Sequence, residues 1–284
     1  MGIKLIVDSS SDISAAEAET LGITMLPMDI TFGTETFSDG VDLSPREFFE
    51  KLVETDELPK TSQITEQRFE QAFAGFVNEG HSVIYIALSS KLSTTYSNAK
   101  KAAGKFPGKV FAIDSLNVTI GERILIQHAM RLMERENDAR KIADELNERK
   151  KEIKVLALLS TLQYLKKGGR ISAMTAFAGE LLNIKPVVAI VGGEVKLVGK
   201  AMGSKKGNNL LVQMIEKDGA IDFSMPVATA YSGLSDEYLQ KYLKDSEALW
   251  KPSSENVPIY AIGSTIGTHA GPGAIAVAYF AKKS

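Results

Sequence analysis

Short apolar runs, each ending in a cluster of small polar residues, alternate with helical stretches along nearly the whole chain. That alternation leaves an α/β fold with a largely parallel sheet as the natural solution. Residues 3–7 run into DSSSD (8–12), and residues 83–88 run into SSKLSTT (89–95). Near residue 153 the pattern restarts with KVLALLST (154–161). Two lobes are therefore expected, 1–153 and 154–284, with a small hairpin excursion at about 28–43 and the last strand (274–280) packed at the lobe interface. No low-complexity linker separates them, so the lobes should pack closely and leave a ligand pocket between them.

Local signals fix most elements. Gly22 closes a helix over 15–21, and Ser44–Pro45 places a serine N-cap before a proline at N1. Thr65 caps a helix whose Phe69, Phe73, Phe76 and Val77 recur at core spacing. The charged stretch 120–150, broken near Asn137, reads as a solvated outer helix. In the second half, short helices are expected over 162–167 and 173–182, separated by GGR (168–170). VVAIVGGEVKLVG (187–199) reads as a hairpin turning on Gly-Gly. Helices over 204–217 and 236–249 and strands over 227–231, 259–262 and 274–280 complete the chain.

Composition removes several function classes. The formal net charge is −2, with Lys and Arg spread evenly, which is not the basic stripe of a nucleic-acid binder. There is no cysteine, hence no disulfide, thiolate nucleophile or Cys-ligated metal, and three scattered histidines have no ligand spacing. No Walker A motif and no G-x-G-x-x-G after a strand is present, and no cofactor is expected. The opening apolar run is too short for a signal peptide, and no segment approaches the roughly 18 apolar residues of a membrane span. A cytoplasmic location is the expectation.

Two distant loops carry the chemistry: ALSSKLSTTYSNA (87–99) and IGSTIGTHAGPGAIAV (262–277). In the first, Ser93 reads as a helix N-cap, and its hydroxyl, Thr94 and the helix-end N–H groups make an anion cradle. Alternatively, Ser93 simply caps the helix. In the second, glycines and a proline impose an unusual backbone route past Thr268 and His269, or else a tight turn with a solvated histidine. Thr61, in LPKTSQIT (58–65), is not needed for capping, and Arg170 follows the glycines that end a helix. His81 and His128 read as a loop histidine and a structural one. Ser93 with His269 also suits a hydrolase or transferase, although no G-x-S-x-G elbow is present. A binder of a shorter anionic metabolite is the third reading.

The chain resembles the DegV family at IVDSSSDI (6–13), KTSQIT (60–65), SSKLSTTYSNA (89–99), AIDS (112–115), TLQYLKKGGRIS (161–172), LNIKPV (182–187) and GTHAGPGAIAV (267–277). The resemblance implies a two-lobed α/β protein with a long-chain fatty acid in a tunnel between the lobes. It implies that Thr61 and Ser93 bind the carboxylate, helped by backbone N–H near Thr94. Thr268 and His269 would flank the head group, and Arg170 would sit at the mouth or face a partner. It further implies no chemistry in the protein itself: a separate fatty acid kinase acts on the bound acyl group, and lipid exchange involves peripheral membrane contact. Lys91 and Thr94 stand where the family usually has glycine, so an altered cradle is expected if that loop uses positive φ. Met202 replaces a cation of the kinase-facing surface, which weakens the kinase expectation more than the lipid one.

Overall fold

The computed structural model describes residues 2–55, 57–171, 183–253 and 257–282. The chain starts with β1 (Ile3–Asp8), a 3-10 turn (Ser9–Ser11), α1 (Ala15–Leu21) and β2 (Thr24–Leu26). A small insert follows: β3 (Asp29–Phe32), β4 (Glu35–Ser38), α2 (Pro45–Glu54) and β5 (Lys60–Ser62). Ser44 and Glu47 form a full capping box on α2. The expected excursion is thus a three-stranded sheet, because β5, read from sequence only as the entry to a helix, pairs with β3. Next come α3 (Glu66–Asn78), β6 (Ser82–Ala87), α4 (Thr95–Ala103), β7 (Val110–Asp114), α5 (Thr119–Met133) and α6 (Ala139–Arg149). The first sheet, ordered β2-β1-β6-β7, is parallel throughout. Its order reverses between β1 and β6, and ligands of open parallel sheets bind at the carboxyl ends beside such a reversal.

The second half contains β8 (Ile153–Leu158), α7 (Gln163–Lys167), β9 (Ile184–Val191), β10 (Glu194–Met202), α8 (Gly203–Lys217) and β11 (Val227–Tyr231). It ends with α9 (Glu237–Asp245), α10 (Glu247–Trp250), β12 (Ile259–Ala261), α11 (Ser264–Ala270) and β13 (Ile275–Phe280). The second sheet, β10-β9-β8-β13-β11-β12, is antiparallel except for its last pair. Parallel pairing therefore describes the first sheet and not the second. The expected helix over 173–182 lies outside the described residues. The expected helix over 236–249 is two, broken at Ser246.

The charged stretch 120–150 departs most from its sequence reading. It does break near Asn137, and α6 is amphipathic, but α5 is no outer helix. It packs against β1 and β6 on one side and β8, β11 and β13 on the other, with one hydrophobic cluster continuous across both sheets. Its charged residues Glu122 and Arg123 are buried. Arg123 donates to Glu17 and to the carbonyls of Ser11 and Asp12, and its guanidinium stacks 3.9 Å above the Tyr260 ring. Gly121 permits this depth, since a Cβ there would meet Val155 Cγ2 at 2.3 Å.

Glu122 poses a proton-counting problem. Ser10 Oγ is within hydrogen-bond distance of both Asp8 Oδ1 and Glu122 Oε2, the latter at 2.8 Å. A hydroxyl has one hydrogen, so one of the carboxyls must supply the other. Asp8 also accepts from Tyr85 Oη–H, Leu88 N–H and Ser10 N–H, whereas Glu122 Oε1 has no partner among the described residues. Asp8 is therefore the charged member and Glu122 the neutral acid, which donates to Ser10. Burial pushes the Glu122 carboxyl well above its ordinary range, and the negative Asp8 adds to that.

An acid whose pKa is raised by folding contributes most at low pH and loses that contribution as pH rises above its unfolded value. Glu122→Gln keeps a neutral donor facing Ser10 Oγ. Its urea midpoint relative to the parent should climb from pH 5 to pH 8, by up to about 1.4 kcal/mol per pH unit in stability. A difference that does not vary with pH would contradict the protonated assignment.

Candidate functional site

A cavity of about 790 Å³ opens between the two sheets at the carboxyl ends of β1 and β6. Most of its wall is aliphatic: Val155 and Ala157 of β8, Val188 and Ile190 of β9, and Ala274 and Ala276 at β13. Its polar lining includes Thr61, Ser93, Thr94, Arg170 and His269, with Lys91, Thr119 and Thr265 also on the wall. Three loops and a helix meet there, and buried aspartates hold several of them. Leu88 N–H, at the start of the 88–94 loop, donates to Asp8, and Ser90 N–H donates to Asp114. Gly263 N–H donates to Asp12, and the Ser264 and Thr265 N–H groups donate to Asp39.

The first loop is a cradle built differently from a simple N-cap. Thr94, not Ser93, occupies the N-cap position of α4, in a helical conformation and without a capping side chain. Ser93 Oγ instead accepts from Thr95 N–H at 3.2 Å and lies 3.0 Å from Thr95 Oγ1. Thr95 is fully buried, and its hydroxyl accepts from Ile64 N–H, tying this loop to the segment just after the strand that carries Thr61. Ser89 is spent as well, donating to the Gly193 carbonyl at the tip of the β9–β10 hairpin. That leaves Ser90, Ser93 and Thr94 on the cavity wall. Neither Lys91 nor Thr94 has positive φ; Thr94 sits at −81°. Losing the family's glycines therefore strains nothing here.

The second loop is corrected by the structure. Residues 264–270 form α11, and His269 lies in its last turn, partly buried with its Nδ1 shielded from solvent. His269 Nε2 is 3.4 Å from Thr61 Oγ1, so two residues 208 positions apart meet at the polar end. Its Nδ1 is buried without a partner among the described residues and abuts Gly168, where a Cβ would lie 2.1 Å from that nitrogen. Burial lowers the His269 pKa to about 4, with the nearby Arg170 guanidinium adding to the effect. The ring is neutral at pH 7. Arg170 donates to the carbonyls of Leu92 and Gly168, clamping the end of α7 to the cradle loop.

Thr268 is not on the cavity wall. It is buried one position from His269 on a different face of α11, and its hydroxyl donates to the Ser264 carbonyl. A Ser93–His269 dyad is not assembled either. His269 Nε2 faces Thr61, its Nδ1 meets no carboxylate among the described residues, and Ser93 pairs with Thr95. Among the described residues no cluster of His, Asp and Glu is placed to hold a metal ion. No helix among them is long and apolar enough to cross a membrane.

One wall residue carried no sequence signal. Thr119 opens α5 with φ +51°, a left-handed conformation that β-branched residues rarely adopt. Its hydroxyl donates to Asp12, itself at φ +59°, and that pairing holds the conformation. Burial and the neighbouring Asp39 raise the Asp12 pKa to about 7 against these hydrogen bonds.

Comparison with known proteins gives this architecture a family. The DegV family model, described as "Uncharacterised protein, DegV family", matches residues 2–282. A DegV domain-containing protein of Clostridium perfringens is 32% identical over 278 residues, covering 98% of each chain. A DegV-family protein of Thermus thermophilus, described for its fatty acid binding, superposes with a TM-score of 0.87 at 28% identity, covering 99% of this chain and 100% of its own. DegV of Bacillus subtilis, described as a fatty acid binding protein, gives a TM-score of 0.83 at 27% identity, with 99% and 100% covered.

The histidine supplies a test of the polar end. A buried imidazole with lowered pKa stabilises the fold above its unfolded value of about 6.5 and loses that contribution as pH falls towards 4. In imidazole ¹H–¹⁵N spectra of the unliganded protein, His269 should stay neutral at pH 6 and titrate near 4. A midpoint close to 6.5 would contradict the buried, Arg170-flanked placement.

Proposed function

The chain belongs to the DegV family, and we propose that its cavity binds one long-chain fatty acid for presentation to a separate fatty acid kinase. The observation that carries this reading is the size and polarity of the cavity: about 790 Å³ with a mostly aliphatic wall, on which the Thr61 hydroxyl meets a neutral histidine. Thr61 and Ser93 hydroxyls donate to the carboxylate, with Thr94 and the first-turn N–H groups of α4 beside them. Neutral His269 flanks the head group and adds a ring N–H. Arg170 supports the negative charge from the rim. The descriptions of the Thermus thermophilus and Bacillus subtilis proteins as fatty acid binders favour the same ligand class.

The energetics suit this ligand. Burying about 14 methylenes at ~0.8 kcal/mol each contributes roughly 11 kcal/mol before association costs. A carboxylate left unpaired in such a cavity would cost several kcal/mol, so the hydroxyl and N–H donors are required as well as the apolar wall. A shorter metabolite would leave much of the aliphatic wall uncovered. On this reading the protein carries out no chemistry itself and exchanges lipid through peripheral membrane contact. Met202, where the resemblance implies a cation of the kinase-facing surface, is 63% exposed at the end of β10.

Protein purified from cells should carry fatty acid, recovered by solvent extraction or seen by native mass spectrometry. Ligand-free protein that also ignores added palmitate and oleate would reject the reading. Thr61→Ala combined with Ser93→Ala should weaken fatty-acid affinity by about 1–3 kcal/mol through lost charge-assisted hydrogen bonds. Unchanged affinity would place the carboxylate elsewhere.

A further inference from the structure

Two glycines interlock the ends of α7 and α11. A Cβ on Gly271, just past α11, would come within 2.2 Å of the Tyr164 ring of α7. A Cβ on Gly168, just past α7, would fall 2.1 Å from His269 Nδ1 and 2.8 Å from Cε1 of the same ring. Each helix thus ends on a glycine that receives a ring from the other. The two glycines are required for different reasons. Gly271 has φ +69°, where any side chain is strained. Gly168 has φ −74° and ψ −8°, a right-handed helical conformation open to every residue. Its backbone does not call for glycine; the imidazole lying against it does.

That contact also decides which ring nitrogen carries the hydrogen. The imidazole is neutral, so one nitrogen bears a hydrogen and the other a lone pair. Among the described residues Arg170 is the charged group that acts on the ring, and it opposes a second ring proton. Nδ1 is shielded against Gly168 and has no partner among the described residues. The N–H groups at the end of α7 are already used: Gly168 donates to the Tyr164 carbonyl, Gly169 to that of Lys166 and Arg170 to that of Leu165. The Gly168 carbonyl accepts from the Arg170 side chain. A hydrogen on Nδ1 would be a buried donor without an acceptor, the costlier way to leave that atom. Nε2, by contrast, has Thr61 Oγ1 3.4 Å away.

Counting hydrogens gives this choice a consequence, because a threonine hydroxyl has only one. With a bare Nε2, that hydrogen would go to the ring, and Thr61 would face an anion with lone pairs alone. With the hydrogen on Nε2, Thr61 Oγ1 accepts from the ring and its own hydrogen is free for a carboxylate. We infer that Gly168 is a positioning residue for the anion site: it seats His269 with its hydrogen on Nε2, and thereby makes Thr61 a donor to the ligand. The inference rests on the fatty-acid reading for the identity of that ligand, whereas the state of the ring belongs to the unliganded protein.

Long-range ¹H–¹⁵N imidazole spectra of the unliganded protein at pH 7 should show a bare Nδ1 and a protonated Nε2 on His269. Gly168→Ala suits the backbone, and its next contact is the Tyr164 carbonyl oxygen at 3.1 Å. It should displace the ring, mix the two tautomers and move the titration midpoint from about 4 towards 6.5. Its affinity for oleate should fall about tenfold, the factor one charge-assisted hydrogen bond carries. Gly169→Ala strains a residue at φ +69° but meets nothing within 4 Å, so the parent tautomer should persist there. Equal loss of that tautomer in Gly169→Ala would assign the effect to strain at the helix end and overturn the inference. Hydrogen on Nδ1 in the parent, or unchanged oleate affinity in folded Gly168→Ala, would do the same. Should Gly168→Ala fail to fold, adding His269→Ala removes the ring that the Cβ strikes and should restore folding; no restoration also counts against it. If the parent binds no oleate, the fatty-acid reading fails, and the ring spectra still decide the role of Gly168.

Discussion

Backbone N–H groups, not cations, satisfy the carboxylates on which the cavity depends. Asp8 holds Leu88, Asp12 holds Gly263, and Asp39 holds Ser264 and Thr265. Each bond runs from a residue near the start of the chain, in the first strand, the turn after it or the small insert, to a loop that forms a cavity wall. An aspartate buried this way is tolerable only while its donors stay in place, so each bond fixes a loop as firmly as the loop neutralises the charge. Asp39 also explains why the N-terminus of α11 is not the anion site. Its first free N–H groups are already taken by a carboxylate that reaches it from 225 residues away.

The same carboxylates make the two sides of the cavity electrostatically unlike. Asp39 is buried and Asp12 partly so behind Thr119, Ile262 and Thr265 of the wall, Asp8 is buried beside Leu88, and buried Arg123 is already paired with Glu17. Glu122 escapes adding charge only by keeping its proton. A second anion on that side would be repelled in a medium where charges are poorly screened. At the other side the wall offers hydroxyls, a helix N-terminus, a neutral imidazole and Arg170. On the proposed fatty-acid reading, charge distribution as well as apolar surface separates the head-group side from the tail side.

Elements whose stabilising groups are local were legible in the sequence. Ser44–Pro45 and Thr65 announce their helices because the cap and the capped turn are adjacent. The Gly192–Gly193 hairpin follows from positive φ at both glycines. α11 was not legible. Its residues STIGTHA look like a loop, and what makes them helical is distant: Asp39 at one end, and Phe48 and Phe49 against Gly267, where a Cβ would approach Phe48 to 2.7 Å. α5 was misread for the related reason that its charges look solvated until Ser10, Ser11 and Glu17 are known to meet them. The meeting of Thr61 with His269 was visible only through family resemblance, since local chemistry gave each a bland alternative.

Two departures from the family pattern act on different parts of the molecule. Lys91 and Thr94 lie in the cradle, yet the loop holds them in ordinary backbone conformations and is pinned instead by Ser89 donating to Gly193. That contact requires glycine at the hairpin tip, because a Cβ on Gly193 would come within 2.5 Å of Ser89 Oγ and 3.1 Å of Lys91 Cγ. The tip thereby closes the cavity against the first sheet, and Lys91 draws on Glu194 beside it. Met202 lies at the far end of the same hairpin, exposed and remote from that closure. Met202 is not among the residues that line the cavity. The cavity wall and the outward-facing surface are thus separate parts of one scaffold.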